Sequence, residues 1–112
     1  MTALSLSPAH LRTVLALLAR HAHGLEVLAY GSRLGGTAHD GSDLDLVIRN
    51  PANLSVPQTQ LAALREAFAE SNLPILVEVF DWAQLPESFR REVQRAHVIL
   101  PTPEPALPTS PS

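Results

Sequence analysis

Gly31-Ser32-Arg33-Leu34-Gly35-Gly36-Thr37-Ala38-His39-Asp40-Gly41-Ser42-Asp43-Leu44-Asp45-Leu46-Val47-Ile48 is the stretch that decides how this chain folds. An apolar run from Leu25 to Tyr30 leads into Gly31-Ser32, which places that pair in a turn at the end of a strand. Ten residues further on, Asp43-Leu44-Asp45 opens a second apolar run that ends at Ile48. Residues i and i+2 of a strand share a face, so the spacing predicts that Asp43 and Asp45 converge. A small turn can approach a phosphate. Two hard oxygen ligands on one strand suit Mg²⁺, which is held by one or two carboxylates plus substrate phosphates.

Working outward, Ser7-Pro8 opens a helix, with Pro tolerated in the first turn and Ser as cap. Leu11, Val14, Leu15 and Leu18 repeat at helical spacing, and Gly24 ends the helix. His21 and His23 fall in its last turn and read as surface histidines near the negative helix end. Glu26 to Tyr30 is the first strand, Ser32 to about Gly36 a short helix, and Ser42 to Ile48 the second strand. Asn50-Pro51 breaks that strand, and a loop runs to Val56-Pro57. Pro57 to Glu70 reads as a helix with Leu61, Leu64 and Phe68 on one face. A third strand, Ile75 to Phe80, precedes a helix from about Pro86 to Arg95 that buries Phe89 and Val93. His97 to Leu100 closes the order as a fourth strand. The pattern predicts the α/β class, a small mixed β-sheet packed with helices.

The chain has 112 residues, which sets one domain as the expectation. We read residues 1–100 as that domain and 101–112, Pro-rich with few apolar residues, as a disordered tail. With 46% hydrophobic but only 4% aromatic residues, the core is expected to be Leu, Val and Ala. Cysteine is absent, which excludes a thiolate metal site and a cysteine nucleophile and fits a reducing cytoplasm. The N-terminus lacks the basic segment of a signal peptide, and no apolar run approaches the roughly 18 residues of a membrane span. All eight basic residues are Arg, a compositional bias. A net charge of −3 argues against a nucleic-acid footprint.

The Gly-Ser, ten residues, Asp-x-Asp arrangement resembles that of the polymerase-beta-type nucleotidyltransferases. Gly31-Ser32-Arg33, Gly36 and Ser42-Asp43-Leu44-Asp45-Leu46 resemble more closely the minimal nucleotidyltransferases, the antitoxin partners of HEPN-domain toxins. The small size, Val77-Glu78-Val79-Phe80-Asp81-Trp82 and Leu85-Pro86-Glu87-Ser88-Phe89-Arg90 carry that narrower likeness, and the whole resemblance covers about His10 to about Leu100. It implies the nucleotidyltransferase fold, a metal-dependent transfer of AMP from ATP, Mg²⁺ as cofactor, and a HEPN-type toxin as the protein acceptor. A homo- or hetero-oligomer is compatible with this.

Gly31 permits close backbone approach. Ser32 starts a helix whose free N–H groups favour phosphate, and its hydroxyl adds a hydrogen bond; an ordinary strand–helix turn is the bland alternative. Arg33 is read as a nucleotide contact or a solvated arginine. Asp43 and Asp45 are the expected metal ligands, since two carboxylates on one face repel unless a cation lies between them. The resemblance implies a third carboxylate on the next core strand, as second-metal ligand and base. Glu78 aligns there, and a lone acid amid apolar residues is costly unless paired or metal-bound; a Glu on an exposed edge strand is the bland alternative. The family more often has Asp at that position, and a misplacement of about 1 Å can cost ~10²-fold in rate. Asp81 competes for the role, but lies an odd number of residues from Glu78 and precedes Trp82-Ala83-Gln84, as a cap would. His39 reads as a loop histidine; Arg90, Arg91 and Arg95 as a solvated face or a docking face. A core this small offers little surface to orient an acceptor, so the acceptor is expected to be another chain. A catalytically inactive nucleotide-binding subunit that occludes its partner is the alternative, and transfer to a small molecule such as an aminoglycoside the weakest reading.

Overall fold

The computed structural model describes residues 4–31, 33–34 and 43–102. Ser7 caps α1 (Pro8–His21) by accepting from the His10 amide at 3.2 Å. β1 (Glu26–Tyr30) follows, then β2 (Leu44–Arg49), α2 (Leu61–Ala69), β3 (Val77–Asp81), a single 3₁₀ turn (Trp82–Gln84), α3 (Glu87–Arg95) and β4 (Val98–Leu100). The sheet order is β3-β2-β1-β4. β1 runs antiparallel to β2 and β4, while β3 is parallel to β2. The sheet is therefore mixed, as the pattern predicted.

Period-2 alternation gives the sheet two different apolar faces. Val27, Ala29, Leu44, Leu46, Ile48 and Val79 pack with Val14 and Leu18 of α1 and with Leu64 and Phe68 of α2. On the opposite face, Leu28 and Val47 meet Trp82 and Val93, with Tyr30, Phe80, Leu85 and Phe89 packed around them. The second face is thus covered by α3 and the 3₁₀ turn. Near its edge the Trp82 ring lies under two guanidinium groups, Arg49 at 4.7 Å and Arg90 at 5.6 Å. Arg49 also pairs with Glu26 at 2.6 Å. Arg90 donates to the carbonyls of Trp82 and Ala83; it is a fixed structural residue, and only Arg91 and Arg95 remain as an exposed basic face.

Several boundaries differ from the sequence reading. α2 starts at Leu61, four residues late: residues 57 and 58 have no regular structure, 59 and 60 form a turn, and the Gln58 amide is taken by Asp81. The Asp81 carboxylate accepts from the Gln58 amide at 2.7 Å and from the Ala83 amide at 3.1 Å. Asp81 is 3% exposed and ends β3; its expected capping of the following turn is met. Gly24 lies beyond the end of α1 with φ +75°, and Ala22 is the cap residue. The short helix expected from Ser32 to Gly36 is not formed at Arg33 and Leu34. Leu34 forms a bridge with Leu4, and the Ser5 amide donates to the Arg33 carbonyl at 2.6 Å. Ser32, Gly35, Gly36, His39 and Ser42 lie outside the described residues.

Residues 101 and 102 are described with the fold: the Thr102 hydroxyl donates to the Leu25 carbonyl at 2.7 Å. The remaining residues of the expected tail, 103–112, lie outside the described part. Truncation after Thr102 is expected to leave the melting temperature unchanged. Truncation after Leu100 is expected to lose about 1 kcal/mol, the net contribution of one hydrogen bond. Urea melts of the two truncations check this, and equal stabilities would refute it.

Candidate functional site

The register of three strands builds the site. Tyr30 of β1 is paired with Asp45 of β2, and Asp45 with Glu78 of β3. The three side chains form one row across the sheet, one step along from the apolar row Leu28, Val47 and Phe80. Asp45 is half-buried, whereas Asp43 is exposed and stands one residue before β2. The i, i+2 argument therefore reaches past the strand end for Asp43, yet its charge still acts on Asp45.

The electrostatics record that crowding. Burial first, then the charges of Glu78 and Asp43, hold the Asp45 carboxyl above the usual carboxylate range. Burial, then Asp45 and Glu78, likewise raise the Tyr30 phenol, which stays a neutral donor beside the acids. Tyr30 was not singled out by the sequence. Only its position at the end of the strand before Gly31 hinted at it, and pairing register is not visible in a run of residues.

Glu78 reaches the row for a different reason from the one expected. β3 is an edge strand and Glu78 is exposed, so it bears no burial cost that needs a partner. Register with Asp45 alone brings it to the site. An open groove of about 400 Å³ between α2 and β3 passes it, with Arg65, Phe68 and Leu76 among its walls. Asp81, three residues on, serves the opposite face through Gln58. Arg33 is 7% exposed, and a guanidinium nitrogen donates to the Ser5 carbonyl at 3.1 Å. It is not a solvated arginine; it ties the N-terminal segment to the turn.

Gly31 has φ +88°, a conformation that L side chains rarely adopt. A Cβ added there would lie 2.7 Å from Oδ2 of Asp45. The turn thus presses its backbone against the inner carboxylate. The Leu34 amide closes it by donating to the Gly31 carbonyl at 3.1 Å. No group of three His, Cys, Asp or Glu side chains among the described residues is arranged to hold a metal ion by itself. The donor set fits a hard cation that takes one or two carboxylates and completes its shell with phosphate and water, and a cation would relieve the repulsion around Asp45.

An acid row centred on the half-buried Asp45 beside a glycine turn, on a mixed sheet flanked by helices, is the arrangement of a nucleotidyltransferase core. The family model described as nucleotidyltransferase domain matches residues 11–100, and the chain belongs to that family. Its four-stranded mixed sheet and three α-helices among the described residues are consistent with the polymerase-beta-like nucleotidyltransferase fold. Among its relatives is the "Probable protein adenylyltransferase MntA" of Haemophilus influenzae, 40% identical over 74 residues. That match covers 66% of this chain and 63% of the relative, so just under two thirds of the relative's length is spanned.

Two outcomes follow from this geometry. Gly31→Ala is expected to lose about 1–2 kcal/mol from the left-handed backbone, plus a further amount from the contact with Asp45. In an Asp45→Ala background only the first part should remain; urea melts of the four variants measure both. Asp45→Asn is expected to raise the melting temperature of the metal-free protein at neutral pH. The raised carboxyl binds its proton more readily folded than unfolded, so its ionisation destabilises the fold at neutral pH. That penalty is relieved as pH falls through the raised value. The gap between variant and wild type should therefore narrow towards about pH 4; a gap of opposite sign would identify Asp45 as a stabilising acid.

Proposed function

We propose that this chain transfers AMP from ATP to a side-chain hydroxyl of a partner protein, in the cytoplasm, as the antitoxin of a HEPN-type toxin. The observation that carries the reading is the in-register row of Asp45 and Glu78 beside Gly31, with Asp43 at the strand entrance. The relative's description as a protein adenylyltransferase supports the choice of acceptor class.

In this reading Gly31 and Ser32 receive the triphosphate, and Arg33 holds the turn through Ser5. Asp43 and Asp45 would hold Mg²⁺, and Glu78 would hold a second ion. Bound there, the metal supplies Lewis-acid polarisation of the α-phosphate and stabilisation of the attacking and leaving oxygens. Glu78, exposed on the edge strand, takes the proton of the acceptor hydroxyl. The hydroxyl oxygen bonds to the α-phosphorus, the α–β bridging bond breaks, and pyrophosphate leaves. The Tyr30 phenol stays neutral beside Asp45. Glu78 in place of the more usual Asp favours a second reading, a weak or inactive subunit that blocks its partner by occlusion.

Incubation with α-labelled ATP, Mg²⁺ and the partner toxin separates the two. Label on the partner is expected with the wild type and is lost in Asp43→Asn and Asp45→Asn. Ser32→Ala should weaken ATP binding roughly 10- to 100-fold, the loss of a hydrogen bond to a charged group. A tight but unlabelled complex would establish occlusion instead.

A further inference from the structure

A second groove, of about 520 Å³, opens beside the turn and is bounded by Tyr30, Gly31, Leu34, Phe89, Glu92 and Ala96. None of the roles assigned above uses its α3 wall. We propose that this groove seats the nucleoside of the nucleotide whose phosphates lie at Gly31. The inference rests on that reading of Gly31 and adds the residues that hold the uncharged end of the substrate.

Five features support this occupant. Tyr30 stands in the acid row and also lines the groove, and so does Gly31, whose backbone abuts Asp45, so the groove opens next to the acids. The volume falls within the ~300–1,000 Å³ of small-molecule sites. Tyr30 and Phe89 meet edge-to-face, with centroids 5.7 Å apart and planes at 85°. Phe89 also packs against Phe80 at 6.0 Å but is only half-buried, so a flat base can lie against its exposed part. Leu34 adds an apolar contact from the turn. Glu92, exposed at the rim and paired with Arg95 at 3.4 Å, keeps acceptor capacity for a hydroxyl or amino group of the nucleoside.

Ala96 offers a clean test. It is exposed, extended (φ −152°, ψ 116°) and ends α3, so a large side chain fits the backbone there and projects at the groove without displacing core. Titration calorimetry of the full chain uses Mg²⁺–ATP and Mg²⁺–tripolyphosphate, the latter lacking any nucleoside. The wild type is expected to bind ATP more tightly than tripolyphosphate. Ala96→Trp should cut ATP affinity roughly five- to a hundredfold, the range of a lost base–aromatic contact, and leave tripolyphosphate affinity unchanged. Phe89→Leu, which keeps apolar bulk but removes the ring, should lose ATP affinity in the same direction. Equal wild-type affinities for the two ligands, or an Ala96→Trp protein that binds ATP like the wild type, would overturn the groove while leaving the phosphate site standing. A wild type that binds neither ligand would overturn both.

Discussion

A carboxylate on an inner strand, pressed against the backbone of a glycine, is the constraint on which this molecule turns. Asp45 belongs to β2, which lies between β1 and β3 and cannot shift without breaking both ladders. Gly31 meets it from the end of β1 at a distance that leaves no room for a Cβ. The turn, the strand end and the acid are therefore one mechanical unit. The charge at its centre is opposed by burial and by two neighbouring carboxylates. A cation beside Asp45 would relieve that opposition.

The two sheet faces divide the labour. The face beneath α1 and α2 is apolar from Val27 to Val79 and supplies most of the fully buried side chains. The face beneath α3 is graded along the strands. At one end Glu26, Arg49, Trp82 and Arg90 satisfy one another. The middle is the apolar row of Leu28, Val47 and Phe80, and at the other end stand Tyr30, Asp45 and Glu78. Charge is paired at the first end, while at the other end Asp45 and Glu78 face each other with like charge.

Much of this was legible before any coordinates. The Leu25–Tyr30 run yields β1 at its true bounds, and Asp43-Leu44-Asp45 marks the start of β2 to within two residues. Local alternation and punctuation suffice there because both strands are apolar and bounded by turn residues. What stayed hidden is non-local. The late start of α2 accompanies a bond from the Gln58 amide to Asp81, 23 residues away. The burial of Arg33 depends on Ser5, 28 residues away. Glu78 drew notice as an acid amid apolar residues, yet β3 is an edge and leaves it exposed. Its place beside Asp45, and that of Tyr30, follow from pairing register.

The guanidinium of Arg65 has a consequence for assembly. Its Nε donates to the Val79 carbonyl at 2.9 Å, in the middle of the open edge of β3. An unpaired edge is a template for strand addition by another chain, and here its central acceptor is already occupied by a side chain. At the other edge, β4 is only three residues long and is followed by Pro101, which has no amide hydrogen to offer. Neither border invites continuation of the hydrogen-bond ladder. The occupied Val79 carbonyl and the short β4 make edge-to-edge pairing between copies of this chain less favourable.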